Sequence, residues 1–141
     1  MNFEQLLQSG IAPFVMREPP IENTSSMDTT LATFSAAPSG SVLVMDSGTH
    51  QLSGIITGSD MTKLRPQGAP QRAGDLATKE VIAIKEGAKV WQLLKIMNGE
   101  NAFHRQLDSL PVVDASNRPV GVVKREQLVS KLAEMDRAAL E

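Results

Sequence analysis

The sequence is poor in the residues that carry redox chemistry and base stacking. It has no cysteine, no tyrosine and a single tryptophan among its 141 residues. The lack of cysteine excludes disulfides and thiol catalysis. Aromatic residues make up only 4% of the chain, so nucleic-acid bases have little surface on which to stack. The net charge is −2 and no long basic run is present, which argues against contacts with a phosphate backbone. We therefore expect no nucleic-acid partner.

Long apolar runs are also absent. No stretch approaches the roughly 20 apolar residues that a membrane-spanning helix needs, so we expect no direct membrane insertion. The start of the chain, MNFEQLLQ, lacks the basic residues and the apolar run of a secretory signal. These absences predict a cytoplasmic protein. Apolar residues still make up 41% of the chain, enough for a core built from aliphatic side chains.

The most informative feature that is present is an internal repeat. Ser41–Asp46 reads SVLVMD, and Ser109–Asp114 reads SLPVVD. Each is followed by a short polar loop and then by a glycine with two apolar residues, at Gly54–Ile56 and Gly121–Val123. The copies are 68 and 67 positions apart (41 to 109 and 54 to 121). Such an ordered repeat predicts two copies of one structural unit.

Each unit is predicted to run strand, helix, strand, strand, helix, which makes the chain an α/β (α+β) protein. The second unit shows this pattern best, since apolar runs indicate its strands and helical spacing of apolar residues indicates its helices. Asn98–Ser109 is predicted to carry an additional loop in this unit. The predicted elements are strand Val81–Ile84, helix Val90–Met97, strands Leu110–Val113 and Val120–Val123, and helix Glu126–Leu140.

The first unit repeats the pattern less clearly. Its opening strand, Ile21–Ser25, is polar, and Pro38-Ser39-Gly40 is expected to end its first helix early. Its second helix is expected at Asp60–Leu64, before a segment rich in Pro, Gly and Gln. We predict a first unit with a helical lead-in at 1–66, a linker at 67–74, and a second unit with a C-terminal helix at 75–141.

The repeated string resembles a known family. An apolar strand, an aspartate, a short loop and Gly-apolar-apolar-Thr-x-x-Asp before a helix are similar to the cystathionine-β-synthase (CBS) domain. The string stands here as SVLVMDSGTHQLSGIITGSDMTKL at 41–64 and as SLPVVDASNRPVGVVKREQLVSKL at 109–132. The resemblance implies two pseudo-symmetric β-α-β-β-α CBS units packed as one Bateman module. It further implies a non-catalytic regulatory module and a homodimer. The implied target is an attached or partner protein, such as a membrane channel, a transporter or an enzyme.

The resemblance also implies a ligand. Many CBS pairs bind AMP, ATP or related adenosyl compounds between their units, so we expect an adenine nucleotide (AMP, ADP or ATP) as a regulatory ligand and no cofactor. The family signature falls on Thr57, Ser59 and Asp60. In the family the aspartate accepts hydrogen bonds from the ribose hydroxyls, while Thr or Ser holds the ribose or the phosphate. The phosphate is expected near the start of the following helix. By the family pattern, adenine lies between the first two strands of the same unit, at Thr24 and Val44.

The second unit departs from the signature. Lys124 stands where the threonine is expected and Gln127 where the aspartate is expected. Gln127 offers no charged acceptor to a ribose diol, so a second independent ribose site is not expected. Lys124 and Arg125 are predicted either to reach a phosphate bound by the first unit or to be solvated surface residues.

Two alternatives to nucleotide binding stay open. Thr57 followed three positions later by Asp60 also resembles a capping box, which stabilises a helix start without any ligand. The competing function is a ligand-free structural dimerisation module of a larger protein, such as a chloride channel or transporter.

Overall fold

The computed structural model describes residues 2–66 and 71–140. Of the predicted linker at 67–74, residues 67–70 lie outside the described part. The helices are α1 (Phe3–Gln8), α2 (Met27–Ala36), α3 (Ala73–Leu76), α4 (Val90–Met97) and α5 (Arg125–Leu140), with 3₁₀ helices at Ala12–Phe14 and Gly58–Lys63. The strands are β1 (Met16–Arg17), β2 (Ile21–Glu22), β3 (Val42–Met45), β4 (Leu52–Ile56), β5 (Ile84–Lys85), β6 (Ser109–Val113) and β7 (Pro119–Lys124). None of the described helices is long and apolar enough to cross a membrane.

The predicted repeat is confirmed by the pairing of the strands. The first unit forms a sheet in the order β2-β3-β4, and the second forms a sheet in the order β1-β7-β6-β5. In each unit a short opening strand runs parallel to the next one, which then forms an antiparallel hairpin. The register shifts at Val44/Met45 in β3 and at Val112/Val113 in β6. These positions are equivalent in the repeat, so the two copies share even their irregularities.

The aspartate that ends each repeated strand forms a turn. The Oδ1 atom of Asp46 accepts hydrogen bonds from the backbone N–H groups of Gly48 and Thr49, at 2.8 and 3.0 Å. The Oδ1 atom of Asp114 accepts from Ser116 and Arg118 in the same way, at 2.8 and 3.0 Å. These bonds lower the pKa of both carboxyls, chiefly through the backbone N–H of Thr49 for Asp46 and that of Arg118 for Asp114. The carboxylates therefore fix the hairpin loops.

Helix α4 has the predicted bounds, Val90–Met97, because its apolar residues recur at helical spacing. Val90, Leu93 and Met97 are buried along one side. Helix α2 begins after Ser26, whose hydroxyl accepts from the N–H of Thr29. It ends before Pro38-Ser39-Gly40, as predicted.

Three predicted elements are shorter or of another kind. The strand predicted at Val81–Ile84 is Ile84–Lys85, because only these residues find partners on β6. The strand predicted at Ile21–Ser25 is Ile21–Glu22, since the chain turns at Ser25, whose N–H donates to Glu22. The helix predicted at Asp60–Leu64 is the 3₁₀ helix Gly58–Lys63. Pro66 disfavours helical backbone at the residue before it, so this helix has no room for further turns.

Short segments cross between the two units. Residues 10–17 precede the first sheet in the chain, yet β1 pairs with β7 of the second sheet. Thr78 precedes the second sheet, yet it forms a two-way backbone bridge with Ile55 of β4, with N···O distances of 3.0 and 2.9 Å. The crossing segments therefore join each unit to the other.

The buried core reflects this exchange. The larger cluster contains residues of the second unit together with Leu6, Ile11 and Phe14 from the start of the chain. The core of the first unit likewise contains Ala73 and Leu76 from helix α3. A third cluster joins the units directly. Its buried members are Leu43 on β3, Ile55 on β4 and Val122 on β7.

Gly54 and Gly121, the glycines of the repeat, allow the crossing segments to approach. A Cβ atom on Gly54 would lie 2.7 Å from the carbonyl oxygen of Thr78. A Cβ atom on Gly121 would lie 2.8 Å from Cγ1 of Val15 and still closer to the carbonyl oxygen of Met16. A side chain at either position would separate the sheet from the segment that crosses to it.

We predict that Gly121→Ala destabilises the protein by about 1–3 kcal/mol, the usual cost of overpacking. Urea denaturation followed by the fluorescence of Trp91 measures this change. Gly87→Ala is the matched control, because a Cβ atom there meets nothing within 4 Å. The control should change the free energy of unfolding by less than about 1 kcal/mol. Equal stability of the two variants would contradict the packing argument.

Candidate functional site

A cavity of about 530 Å³ opens between the two units. Its walls come from both units and from residues 78–82, a connecting segment that begins at the crossing residue Thr78 and leads into the second sheet. The first unit contributes Ser39, Gly40, Ser41, Ile55, Thr57, Gly58 and Ser59; the connecting segment contributes Thr78, Glu80, Val81 and Ile82; the second unit contributes Phe103, Arg105, Gln106, Leu107, Asp108, Ser109, Pro111 and Lys124. The chain crossing creates this cavity, because the Ile55–Thr78 bridge brings the start of the second unit beside the signature of the first.

The wall from the first unit is rich in hydroxyl groups. The hydroxyls of Thr57 and Ser59 lie 3.0 Å apart in a mutual hydrogen bond. Ser39 is held by Glu18, whose carboxylate accepts from the Ser39 N–H and hydroxyl, both at 2.7 Å. Ser41 lies beside it. The cavity thus has a row of groups that can donate to or accept from a polar ligand.

Asp60 does not line this cavity. Its side chain is buried, with 3% of the residue exposed. Oδ2 accepts from the N–H and the hydroxyl of Thr57, at 2.8 and 3.1 Å. Oδ1 accepts from Lys63 Nζ at 2.9 Å and from the Thr78 hydroxyl at 2.6 Å. A carboxylate has about four lone-pair sites, and these four bonds occupy them all.

The structure therefore contains the carboxylate half of the predicted capping box. Asp60 reaches back to the N–H of Thr57, the residue before the 3₁₀ helix. Through Thr78 it also ties this helix to the segment that crosses from the second unit.

The pKa of Asp60 lies below its ordinary value. Burial alone would raise this pKa, but hydrogen bonds from Lys63, Thr78 and Thr57 together outweigh the burial. The carboxylate is therefore charged in the folded protein at neutral pH. Lys63 supplies the opposite charge.

Lys124 lies on the cavity wall, at the end of β7. Its Nζ atom is 3.9 Å from the position that a Cβ atom would take on Gly40, so the ammonium reaches across to the first unit. Arg125 does not line the cavity; its guanidinium donates to the carbonyl oxygen of Met97 at 3.2 Å. Lys124 and Arg125, neighbours in the sequence, are thus directed to different places.

Thr24 and Val44 are not brought to this cavity. Val44 is completely buried in the first sheet, opposite Ile21. Thr24 is exposed in the turn after β2. Sequence reasoning placed the base beside the opening strand of the same unit. In the structure, the segment before the opening strand of the other unit lines the cavity together with Thr57, through Thr78 and residues 80–82.

Sequence reasoning also missed Phe103 and Arg105, which line the opposite wall. The signal that was available is the additional loop predicted at Asn98–Ser109. The spacing of the repeat predicted the length of this loop. It did not predict the side of the sheet to which the loop folds.

Comparison with known families and structures agrees with this architecture. Residues 73–134 match the family model of the CBS domain. CBSX2 of Arabidopsis thaliana, a CBS-pair protein, superposes with a TM-score of 0.67 at 19% identity, over 91% of this chain and 96% of its own. CbpB, solved in complex with c-di-AMP, gives 0.70 at 16% identity, over 98% and 93%. OpuCA of Staphylococcus aureus gives 0.68 at 15% identity, over 87% and 98%. A search of curated protein sequences gives no match.

The second unit therefore matches the CBS domain model, and the chain as a whole has the fold of tandem CBS pairs, or Bateman modules. The resemblance read from 41–64 and 109–132 is confirmed. The mixed α/β class is confirmed as well. The domain boundaries and the ligand-binding roles of individual residues stay predictions.

We predict that Asp60→Asn lowers the free energy of unfolding by about 1–3 kcal/mol at pH 7, since the charge-assisted bonds to Asp60 are lost or weakened. The unfolded chain binds a proton to this group at a higher pH than the folded protein does. The difference between wild type and variant should thus be full above about pH 4 and shrink as the pH falls through the lower folded pKa.

Urea denaturation at a series of pH values measures this difference. Asp28→Asn serves as the control, because Asp28 is exposed in the first turn of α2. It should change stability by less than about 1 kcal/mol. A difference for Asp60→Asn that is absent, or that stays constant down to the lowest pH, would contradict the role of the buried carboxylate.

Proposed function

We propose that this chain is a regulatory module that binds an adenine nucleotide in the cavity between its CBS units. Binding controls an attached or partner protein, and the module itself catalyses no reaction. The observation that carries the proposal is the cavity of about 530 Å³, whose wall combines hydroxyl groups, two cations and apolar residues. Its volume lies in the range of small-molecule sites.

The apolar part of the cavity suits a purine ring. Ile55 and Val81 belong to the cluster that joins the two units, and Pro111 lies on the neighbouring strand β6. A flat aromatic base buries apolar surface against such side chains. Val81 and Ile82 line the cavity and lie outside the named strands.

The polar part suits a sugar phosphate. The hydroxyls of Thr57 and Ser59 can donate to phosphate oxygens, and Lys124 supplies a positive charge. Glu80 and Asp108 line the cavity as carboxylates that can accept from ribose hydroxyls or from the adenine amino group.

Asp60 is occupied before any ligand arrives. To accept from a ribose diol, as the resemblance implies, its carboxylate has to give up two of its four protein donors. The hydroxyl of Thr78 and the ammonium of Lys63 are the donors from outside the Thr57 turn. Exchange of Thr78 for ribose would loosen the tie between the 3₁₀ helix and the crossing segment. This exchange couples ligand binding to the contact between the units.

Relatives of the same fold support the ligand class. CBSX2 has been solved in complex with AMP and superposes at 18% identity with a TM-score of 0.66. CbpB has been solved in complex with c-di-AMP. A bacterial magnesium transporter of the CNNM/CorC family contains a CBS domain of this fold. A homodimer, a cytoplasmic location and a transporter, channel or enzyme as the regulated partner belong to the same proposal.

The second candidate is a ligand-free structural module that mediates dimerisation. The observation in its favour is the saturated carboxylate of Asp60, which already has its hydrogen bonds without a ligand. In that case the four bonds serve the fold alone.

We predict that AMP, ADP or ATP binds the folded chain and raises its melting temperature, as any ligand specific to the folded state does. Gly58→Gln should weaken binding at least tenfold, about 1.4 kcal/mol. The new glutamine side chain would extend from the cavity wall into open space and compete with the ligand for it. Isothermal titration calorimetry measures both affinities.

Gly87→Gln is the matched control, since a side chain at Gly87 also meets open space but lies outside the cavity. It should bind like wild type. If no adenine nucleotide at millimolar concentration gives heat or a thermal shift, the nucleotide proposal is wrong and the structural module is favoured.

A further inference from the structure

The loop between α4 and β6 forms the outer wall of the cavity. Phe103 and Arg105 both line the cavity from this loop. The guanidinium of Arg105 lies over the ring of Phe103, with 5.4 Å between the guanidinium carbon and the ring centroid. We propose that Arg105, positioned by Phe103, reads the charge of the ligand and makes this site prefer nucleoside di- and triphosphates over monophosphates. The inference rests on the proposed function and names the ligand class of that same site.

The loop has a defined shape, which a positioning role requires. Asn101 fixes it through its side-chain amide. Nδ2 donates to the carbonyl oxygens of Ile96 and Arg105, at 2.7 and 2.8 Å, and Oδ1 accepts from the N–H of Phe103 at 2.9 Å. The N–H of Leu107 donates to the carbonyl oxygen of Met97 at 3.0 Å. The loop is thus anchored to the end of α4, and the backbone at Arg105 is held directly.

Two cations on the cavity wall form no ion pair with the described side chains. Among the side chains of residues 2–66 and 71–135, no carboxylate oxygen lies within 4.0 Å of Arg105 or Lys124. The carboxylates of Glu80 and Asp108 line the cavity without pairing with them. By contrast, Lys63 is neutralised by Asp60 at 2.9 Å. Within the described side chains, the cavity therefore presents two positive groups that form no ion pair, and they come from different elements of the second unit.

The chemistry of the two cations differs. Lys124 ends in a single point charge that reaches toward Gly40. Arg105 presents a planar fork of N–H groups, which matches phosphate oxygens in pairs. Phe103 holds that plane by a cation–π contact, so less side-chain freedom is lost when an anion binds. One phosphate group can bind Lys124 and the hydroxyls of Thr57 and Ser59. A di- or triphosphate has further phosphate oxygens that can bind Arg105.

The test compares AMP with ATP on wild type, Arg105→Ala and Phe103→Leu by calorimetry, without Mg²⁺ and at fixed ionic strength. Wild type should bind ATP more tightly than AMP. Because charge-assisted hydrogen bonds contribute about 1.5–3 kcal/mol, Arg105→Ala should weaken ATP binding roughly 10- to 100-fold. AMP binding should change less than about threefold, so that the ratio of the two affinities collapses. Phe103→Leu should reduce the same ratio by a smaller factor, since the charge stays but its support is lost.

Arg118→Ala is the charge-matched control, because Arg118 is an exposed arginine outside the cavity. It should leave both affinities unchanged. Melting temperatures of all variants, measured without ligand, show whether each one is folded; the exposed positions of Phe103 and Arg105 lead us to expect only small shifts. If AMP and ATP bind but their affinity ratio is the same in wild type and Arg105→Ala, the charge-reading role is wrong while the proposed function stands. If no adenine nucleotide binds wild type, both are wrong.

Discussion

The exchange of short segments between the two units is the constraint on which the rest of this structure depends. Residues 10–17 pack against the second sheet, and the residues around Thr78 pack against the first. Both approaches bring a backbone carbonyl so close to Gly54 or Gly121 that no Cβ atom fits between. Because each unit buries part of the other's chain, neither sheet has a complete core alone. The two units are therefore held in one relative orientation, and the space left between them has a defined shape.

The residues of the candidate site line that space. The Ile55–Thr78 bridge places the connecting segment beside the Thr57 turn, and Lys124 reaches over from β7 toward Gly40. Most of the hydroxyls therefore come from the first unit, the cations come from the second, and part of the apolar surface comes from the cluster that joins them. A ligand bound there would contact Thr78 of one crossing segment and Ile55, its partner in the bridge between the units. This arrangement gives a physical basis for the proposed regulation, since a change in those contacts changes how the units fit together.

Asp60 stabilises the fold and also lies next to the candidate site, since it is hydrogen-bonded to Thr57 and Thr78 of the cavity wall. Its carboxylate closes the Thr57 turn, pairs with Lys63 and ties in Thr78, with all its acceptor sites in use. A buried charge is tolerated because every lone pair has a donor. The capping and ligand-binding interpretations of the Thr57–Asp60 spacing therefore concern the same atoms. A ligand that recruits Asp60 does so in competition with bonds that already stabilise the fold.

The amino-acid sequence by itself determined the repeat, the class of fold and the resemblance to CBS pairs, because apolar strand runs, glycine positions and turn aspartates are local properties that recur at a fixed spacing. The bounds of α4, the early end of α2 and both hairpins followed from apolar periodicity and from Pro and Gly. The sequence also indicated Thr57, Ser59 and Lys124, which do line one cavity. Only the tertiary structure decided which segment before an opening strand lines that cavity. The lining residues are Thr78 and residues 80–82, whereas Thr24 and Val44 lie elsewhere. The physical reason is the crossing of the chain, which pairs residues far apart in sequence through close packing at two glycines. No local pattern encodes that partner choice, nor the side of the sheet to which the loop of Phe103 and Arg105 folds.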